Sequence, residues 1–172
     1  MAKRRNVVLI GMPGAGKSTI GVLLAKRLAL AYVDTDLLIQ ERAGCTLQDI
    51  VDRDGHLALR RLEEQVLAEL QLDHHVIATG GSAVYSEAAM AALARGGHIV
   101  YLEVDLPTLE RRVTDLGSRG IARPEGHSFA DVYAERVPLY ERWAELRIPC
   151  TGRSQETIVD AIIEALQRTA AP

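Results

Sequence analysis

Gly11-Met12-Pro13-Gly14-Ala15-Gly16-Lys17-Ser18 is the stretch on which the reading of this chain turns. It fits the pattern G-x-x-x-x-G-K-[ST] and stands between a strand-like run and a helix-like run, the context that pattern requires. Glycines let the backbone wrap around an anion with successive N–H groups pointing inward, and the following helix adds its positive N-terminal end. In such a loop a lysine at position 17 reaches the β- and γ-phosphates of a nucleoside triphosphate, and the Ser18 hydroxyl is suited to ligate Mg2+. Gly14, Ala15, Gly16, Lys17, Ser18 and Thr19 are the expected phosphate contacts. A glycine turn that merely joins a strand to a helix is the competing reading, and the full pattern in its proper context outweighs it.

Outward from this loop the apolar runs alternate between strand and helix. Val7-Val8-Leu9-Ile10 is short, β-branched and continuously apolar, as a buried parallel strand would be. Ile20, Leu23, Leu24 and Leu28 then recur at helical spacing. Further strands are expected at Ala31-Tyr32-Val33, Val76-Ile77-Ala78-Thr79, Ile99-Val100-Tyr101-Leu102 and Leu146-Arg147-Ile148. Helices are expected from Thr46 to Leu72 with a break near Asp54-Gly55, from Ser86 to Ala94, from Leu106 to Leu116 and from Phe129 to Ala144. Thr46 and Asp49 offer a capping box, and Pro138 predicts a kink or break in its helix. Ile158, Val159, Ile162, Ile163 and Leu166 mark a final amphipathic helix. The stretch 117–128 reads as a loop of lid length. Strands separated by helices predict a five-stranded parallel sheet with helices on both faces.

The chain has 172 residues, 48% hydrophobic and 25% charged, which predicts one compact domain spanning 1–172 and excludes a disordered or low-complexity protein. Lysine plus arginine number 20 against 23 acidic residues, and this balance argues against a nucleic-acid binder. The two cysteines, Cys45 and Cys150, give neither a disulfide framework nor zinc-ligand spacing. No apolar run is long enough to span a bilayer, and the basic start leads into only a short apolar run, unlike a secretory signal. A cytoplasmic, monomeric protein with a small-molecule substrate and no membrane partner is expected. His74-His75 read as a strand entry rather than a metal site, because adjacent strand side chains face opposite ways.

No guanine-reading N-K-x-D motif is present, and the chain is short for an ATPase motor. A phosphoryl-transfer enzyme acting on a small molecule is the class that remains. Asp34 and Asp36 end the second strand, where open α/β sheets place their ligand crevice. One carboxylate of such a pair can hold Mg2+-bound water while the other accepts the proton of an attacking hydroxyl. An Asx turn or helix cap before Leu37-Leu38-Ile39 explains the same residues equally well.

Gly11–Ser18, Asp34-Thr35-Asp36, Gly55-x-x-x-x-Arg60-x-x-Glu63, Thr79-Gly80-Gly81, Arg123-Pro124 and Arg136-Val137-Pro138-Leu139-Tyr140 together resemble, in order, the shikimate kinase family. The resemblance implies a P-loop nucleoside monophosphate kinase-like α/β three-layer sandwich and ATP-dependent transfer of phosphate to a hydroxyl of shikimate, in the pathway to the aromatic amino acids. It implies ATP and Mg2+, with Ser18 ligating the metal and Asp34 acting through its water. Asp36 would be the catalytic base and hold the acceptor hydroxyls. Arg60 and Arg136 would bind the acceptor carboxylate, beside Gly80, Gly81 and Ser82, within helices about 36–72 and their neighbours. Arg123 would be the lid arginine over the phosphates, with Arg119 as the alternative, and Arg153 would stack on adenine. Ser82 stands where the family usually has a third glycine, His56 where it has glutamate, and Glu125-Gly126 where it has paired leucines. These departures fall on the acceptor side and the lid, so a kinase of another polyhydroxy acid, such as a gluconate-like sugar acid, is the second reading.

Overall fold

The computed structural model describes residues 6–113 and 120–170. β1 (Asn6–Ile10), β2 (Ala31–Asp34), β3 (His75–Ala78), β4 (Gly97–Glu103) and β5 (Leu146–Pro149) form one sheet in the order β2-β3-β1-β4-β5. Every pairing is parallel, with Val8 opposite Ile77 on one side and Ile99 on the other. All five residues of β1 are buried, as expected of a strand covered on both faces. The chain winds to β2 and β3 on one side of β1 and to β4 and β5 on the other. The loop after β1 therefore sits where the winding reverses, at the carboxyl end of the sheet. The expected α/β sandwich with a five-stranded parallel sheet is the observed fold.

Among the described residues eight α-helices wrap the sheet: α1 (Lys17–Leu28), α2 (Thr35–Ala43), α3 (Leu47–Asp54), α4 (His56–Glu69), α5 (Glu87–Gly96), α6 (Leu106–Arg112), α7 (Phe129–Trp143) and α8 (Gln155–Ala170). The capping box at Thr46 and Asp49 opens α3, and Gly55 parts α3 from α4 as the break near Asp54-Gly55 predicts. Pro138 does not break α7, which runs unbroken from the capping box of Ser128 and Asp131 to Trp143. The expected helix to Leu116 stops earlier: α6 ends at Arg112 with Val113 as its cap, and 114–116 lie outside the described residues.

Two apolar clusters result. The larger one is built on β1, β3 and β4 with Leu24, Met90, Leu109, Tyr140 and Ile162 from the helices. The smaller one joins Ile39, Ile50, Leu59 and Val66 of α2–α4 to Ala122. Gly120–Ala122 is pinned there, with the Gly120 N–H donating to Gln48 Oε1 at 2.9 Å. The small cluster thus ties the segment before α7 to the helices that flank the end of β2.

Candidate active site

α1 begins behind Gly16, whose φ of 94° is a left-handed conformation that glycine adopts without strain. No side chain caps this helix start, and its first turn has no acidic residue. Asp34, Thr46, Ser86, Asp105 and Ser128, by contrast, cap α2, α3, α5, α6 and α7. An uncapped N-terminus behind a glycine loop leaves N–H groups for an anion. The buried Lys17 amine donates to the Gly11 and Met12 carbonyls at 2.7 and 2.9 Å. Burial pulls its pKa down to about 8, opposed chiefly by Asp36.

Ser18 Oγ donates to Asp34 Oδ2 at 2.6 Å, while Asp34 Oδ1 accepts the Asp36 N–H at 3.0 Å and caps α2. The cap reading and the phosphate-side reading of Asp34 hold together because they use different oxygens. Asp36 is no cap. It lies in the first turn of α2, and burial, followed by the charge of Asp34, pushes its carboxyl up to about 6.

Two hollows meet at these residues. An open cleft at the loop is lined by Pro13, Gly14, Gly16, Lys17, Ser18, Thr19, Asp36, Thr79 and Arg112. A more enclosed cavity beside it is lined by Glu63, Gly80, Gly81, Ser82 and Arg136, with an apolar rim of Ile39, Leu47, Leu59, Ile121 and Ala122. Pro13, Lys17 and Asp36 line both. The floor of the cavity is fixed from below: the Gly80 N–H donates to Thr35 Oγ1 at 3.1 Å, and the Tyr140 hydroxyl donates to the Gly81 carbonyl at 2.6 Å.

Arg136, 1% exposed, donates to the Ala122 carbonyl at 2.6 Å and from Nε to the Tyr85 hydroxyl at 3.4 Å. Arg60 does not join it in the cavity. Its guanidinium stacks on Tyr85, 3.5 Å from the ring centroid, in an adjoining cleft with Arg61, Glu64 and Ser86. A cation on an aromatic face is a favourable resting place, and it holds Arg60 outside the hollow in which both arginines were expected. Arg123 is likewise away from the phosphate cleft. It donates to the His127 carbonyl at 3.0 Å and lines a separate cleft with Gln48, Asp52 and His56. Arg119 and the first part of the expected lid, 117–119, lie outside the described residues. Ala15 is buried, with its N–H on the Met12 carbonyl, and does not line the cleft.

Two site residues escaped the sequence reading of individual roles. Glu63 is 2% exposed, accepts the Ser82 hydroxyl and has its other carboxylate oxygen, Oε1, without a partner. Burial pushes its pKa up to about 7. Arg112 donates to the Gly14 carbonyl at 3.3 Å. Burial raises the Cys150 thiol to about 11, and the charges of Arg112 and Arg153 both pull it down. A glutamate in a charged helix face and one arginine of an Arg-Arg pair carry no periodic signal that would have marked them.

The family model described as shikimate kinase matches residues 13–167. The chain is 40% identical over 163 residues to a shikimate kinase of Mycobacterium tuberculosis (strain ATCC 25177 / H37Ra), covering 93% of this chain and 92% of that one. It is also 40% identical over 172 residues to a shikimate kinase of Thermobifida fusca (strain YX), covering 96% and 97%. Its fold superposes on a shikimate kinase from Acinetobacter baumannii in complex with shikimate with a TM-score of 0.90 at 27% identity, over 98% and 96% of the two chains. The chain belongs to the shikimate kinase family. As a member of the shikimate kinase family it is a phosphotransferase with an alcohol acceptor, and ATP is the phosphoryl donor. Its acceptor is a small molecule. Among the described residues no helix is long and apolar enough to cross a membrane.

Proposed function

We propose that this chain transfers the γ-phosphoryl group of ATP to a hydroxyl of shikimate, giving shikimate 3-phosphate. The observation that carries this reading is the shared wall: Lys17 and Asp36 line both the phosphate cleft and the acceptor cavity. A donor phosphate and an acceptor hydroxyl can therefore meet between them without either leaving its own hollow. Family membership favours shikimate over the sugar-acid alternative.

Asp36, held next to the cavity floor, accepts the hydroxyl proton as the oxygen attacks, and its raised pKa makes it a better base than an exposed aspartate. Lys17 leaves the Gly11 and Met12 carbonyls for the transferring phosphoryl and offsets its charge, with the N–H groups of Gly14 and of Gly16 to Thr19 around the phosphates. Arg136 presents Nη1, the nitrogen it leaves free of Ala122 and Tyr85, to the acceptor carboxylate, and Arg60 is the second arginine that binds it. Ser18 Oγ and Asp34 Oδ2 are hard oxygen donors at the mouth of the phosphate cleft, which suits Mg2+ completed by phosphate oxygens and water. Bound there, that ion would supply charge neutralisation on the β- and γ-phosphates. Arg112, at the edge of the phosphate cleft, and Arg153 contact the nucleotide beyond its phosphates in this reading. The enzyme works as a monomer built of a single domain.

The test is coupled ADP release with shikimate, quinate, gluconate and no acceptor. Shikimate-dependent turnover well above the blank is the expected result, and turnover only with gluconate would overturn the reading.

A further inference from the structure

Ser82 and Glu63 line both the acceptor cavity and the adjoining cleft that holds Arg60, so their hydrogen bond is the partition between the two. On either side of it stands an unmet polar group. Glu63 Oε1 and Arg60 Nε are both buried and without a partner. Arg60 and Glu63 are three residues apart on α4, the spacing at which helical side chains meet, and their charges are complementary. Two buried groups that would satisfy one another are thus held apart by two other contacts: the Ser82 hydroxyl on Glu63 and the Tyr85 ring under Arg60. Leaving both unmet costs free energy that the pairing would recover.

We propose that Ser82 is a positioning residue that latches Glu63 and thereby keeps Arg60 out of the acceptor cavity until an acidic acceptor draws it in. The latch rests on the proposed function for its acceptor, while its resting state is a property of the free enzyme. In the latched state Arg136 is, among the described residues, the one arginine lining the acceptor cavity. The acceptor must spend part of its binding energy on turning Arg60 off Tyr85, which lowers apparent affinity by the fraction of enzyme already competent. A residue without the hydroxyl at position 82 frees Glu63 to hold Arg60 towards the cavity in advance. Ser82 then sets how strongly the enzyme demands a carboxylate on its acceptor.

The experiment compares Ser82→Ala and Ser82→Thr with the parent chain in two ways. In the ligand-free enzyme, the 15Nε resonance of Arg60, assigned by its loss in Arg60→Lys, reports whether Nε is hydrogen-bonded. Ser82→Ala should move it to a bonded, exchange-protected position, and Ser82→Thr, which keeps the hydroxyl, should leave it unchanged. In kinetics, Ser82→Ala should lower the KM for shikimate about tenfold, as removal of a conformational penalty worth one such contact does, with kcat and the KM for ATP nearly unchanged. An unchanged Arg60 signal in Ser82→Ala, or the same shift in Ser82→Thr, overturns the latch. A moved signal in an enzyme that ignores shikimate sustains the latch and removes shikimate as the acceptor.

Discussion

Asp36 and Glu63 converge on the same side of Gly80. A Cβ built on that glycine would stand 2.7 Å from Asp36 Oδ1 and closer still to Glu63 Oε1. A half-buried carboxyl group from α2 and a buried one from α4 thus meet over a residue that has no side chain to separate them. The arrangement concentrates negative charge where an acceptor hydroxyl must lose its proton, with Lys17 and Arg136 nearby to balance it.

Gly80→Ala should therefore disable the acceptor side alone. Its methyl group must push both carboxylates aside, while the phosphate loop before α1 is untouched. A rise of about tenfold or more in the KM for shikimate, with the KM for ATP unchanged, is expected from displacing a charged hydrogen-bonding group. Steady-state kinetics with each substrate varied in turn measures the split.

The raised carboxyl groups make two pH predictions. A base must be ionised to work, so kcat/KM for the acceptor should climb to a plateau as pH passes through about 6, the value to which burial pushes Asp36. Asp36→Asn should abolish turnover. For stability the sign follows from proton binding. Glu63 titrates near 4.5 when unfolded and near 7 when folded, so between those values the folded chain holds more protons. Its contribution is fully present at the acid end and is lost as pH rises towards 7. Glu63→Gln should flatten the fall in Tm over that window, while the part that Asp36 adds between 3.8 and about 6 remains. Thermal melts from pH 4 to 8 decide it.

Much of this was legible beforehand, for identifiable reasons. The fold was readable because β1 is apolar at Val7–Ile10 and is followed by a loop whose glycines and lysine have one well-understood use. Asp34 and Asp36 were placed correctly at the sheet's carboxyl end, although sequence alone could not divide capping from chemistry between them. That division depends on which oxygen of Asp34 faces Asp36 N–H and which faces Ser18. Arg60 and Arg123 show the limit most clearly. A long side chain can swing several ångströms about a correctly placed backbone, and the contacts that hold these two, the Tyr85 ring and the His127 carbonyl, leave no trace in residue spacing. Glu63 was hidden for a related reason. Its burial arises from Ser82 and Gly80, which reach it from another element entirely.

Lys17→Ala tests the phosphate cleft. Among the described residues the amine's hydrogen bonds go to backbone carbonyls, so the folded chain loses two of them and sheds a buried charge that Asp36 and its neighbouring carboxylates partly offset. Melting temperature should change little, whereas kcat should drop by about two to three orders of magnitude, as for loss of a charge-stabilising donor. Near-normal turnover in this variant would remove Lys17 from the reaction.

Arg112→Ala addresses a residue whose placement the sequence did not announce. Its guanidinium bonds the Gly14 carbonyl and lines the phosphate cleft, away from the acceptor cavity. The KM for ATP should rise about tenfold through loss of one charged contact, and the KM for shikimate should stay within twofold (about the scatter expected without contact). Equal effects on both substrates would mean that Arg112 supports the loop rather than the nucleotide.

Arg136→Lys separates geometry from charge. The native guanidinium spends one nitrogen on the Ala122 carbonyl and its Nε on Tyr85, while its remaining nitrogen, Nη1, approaches Gly81 on the cavity floor. One side chain thus holds the segment before α7 and still faces the acceptor. A lysine has a single ammonium at the end of a flexible stem, so it can keep the Ala122 contact or reach the acceptor but cannot span both. If the ammonium stays on Ala122, the acceptor carboxylate loses its charged partner and the KM for shikimate rises about 10- to 100-fold, the range for a lost charged hydrogen bond. The KM for ATP should not move, because Arg136 does not line the phosphate cleft. If instead the ammonium turns to the acceptor, shikimate affinity survives and the loss appears as a lower Tm, from a buried carbonyl left unmet at Ala122. Kinetics and thermal melts on the same preparation tell the two apart. No change in either would show that a guanidinium buried to 1% exposure contributes neither binding nor stability, and the acceptor cavity would have to be reassigned.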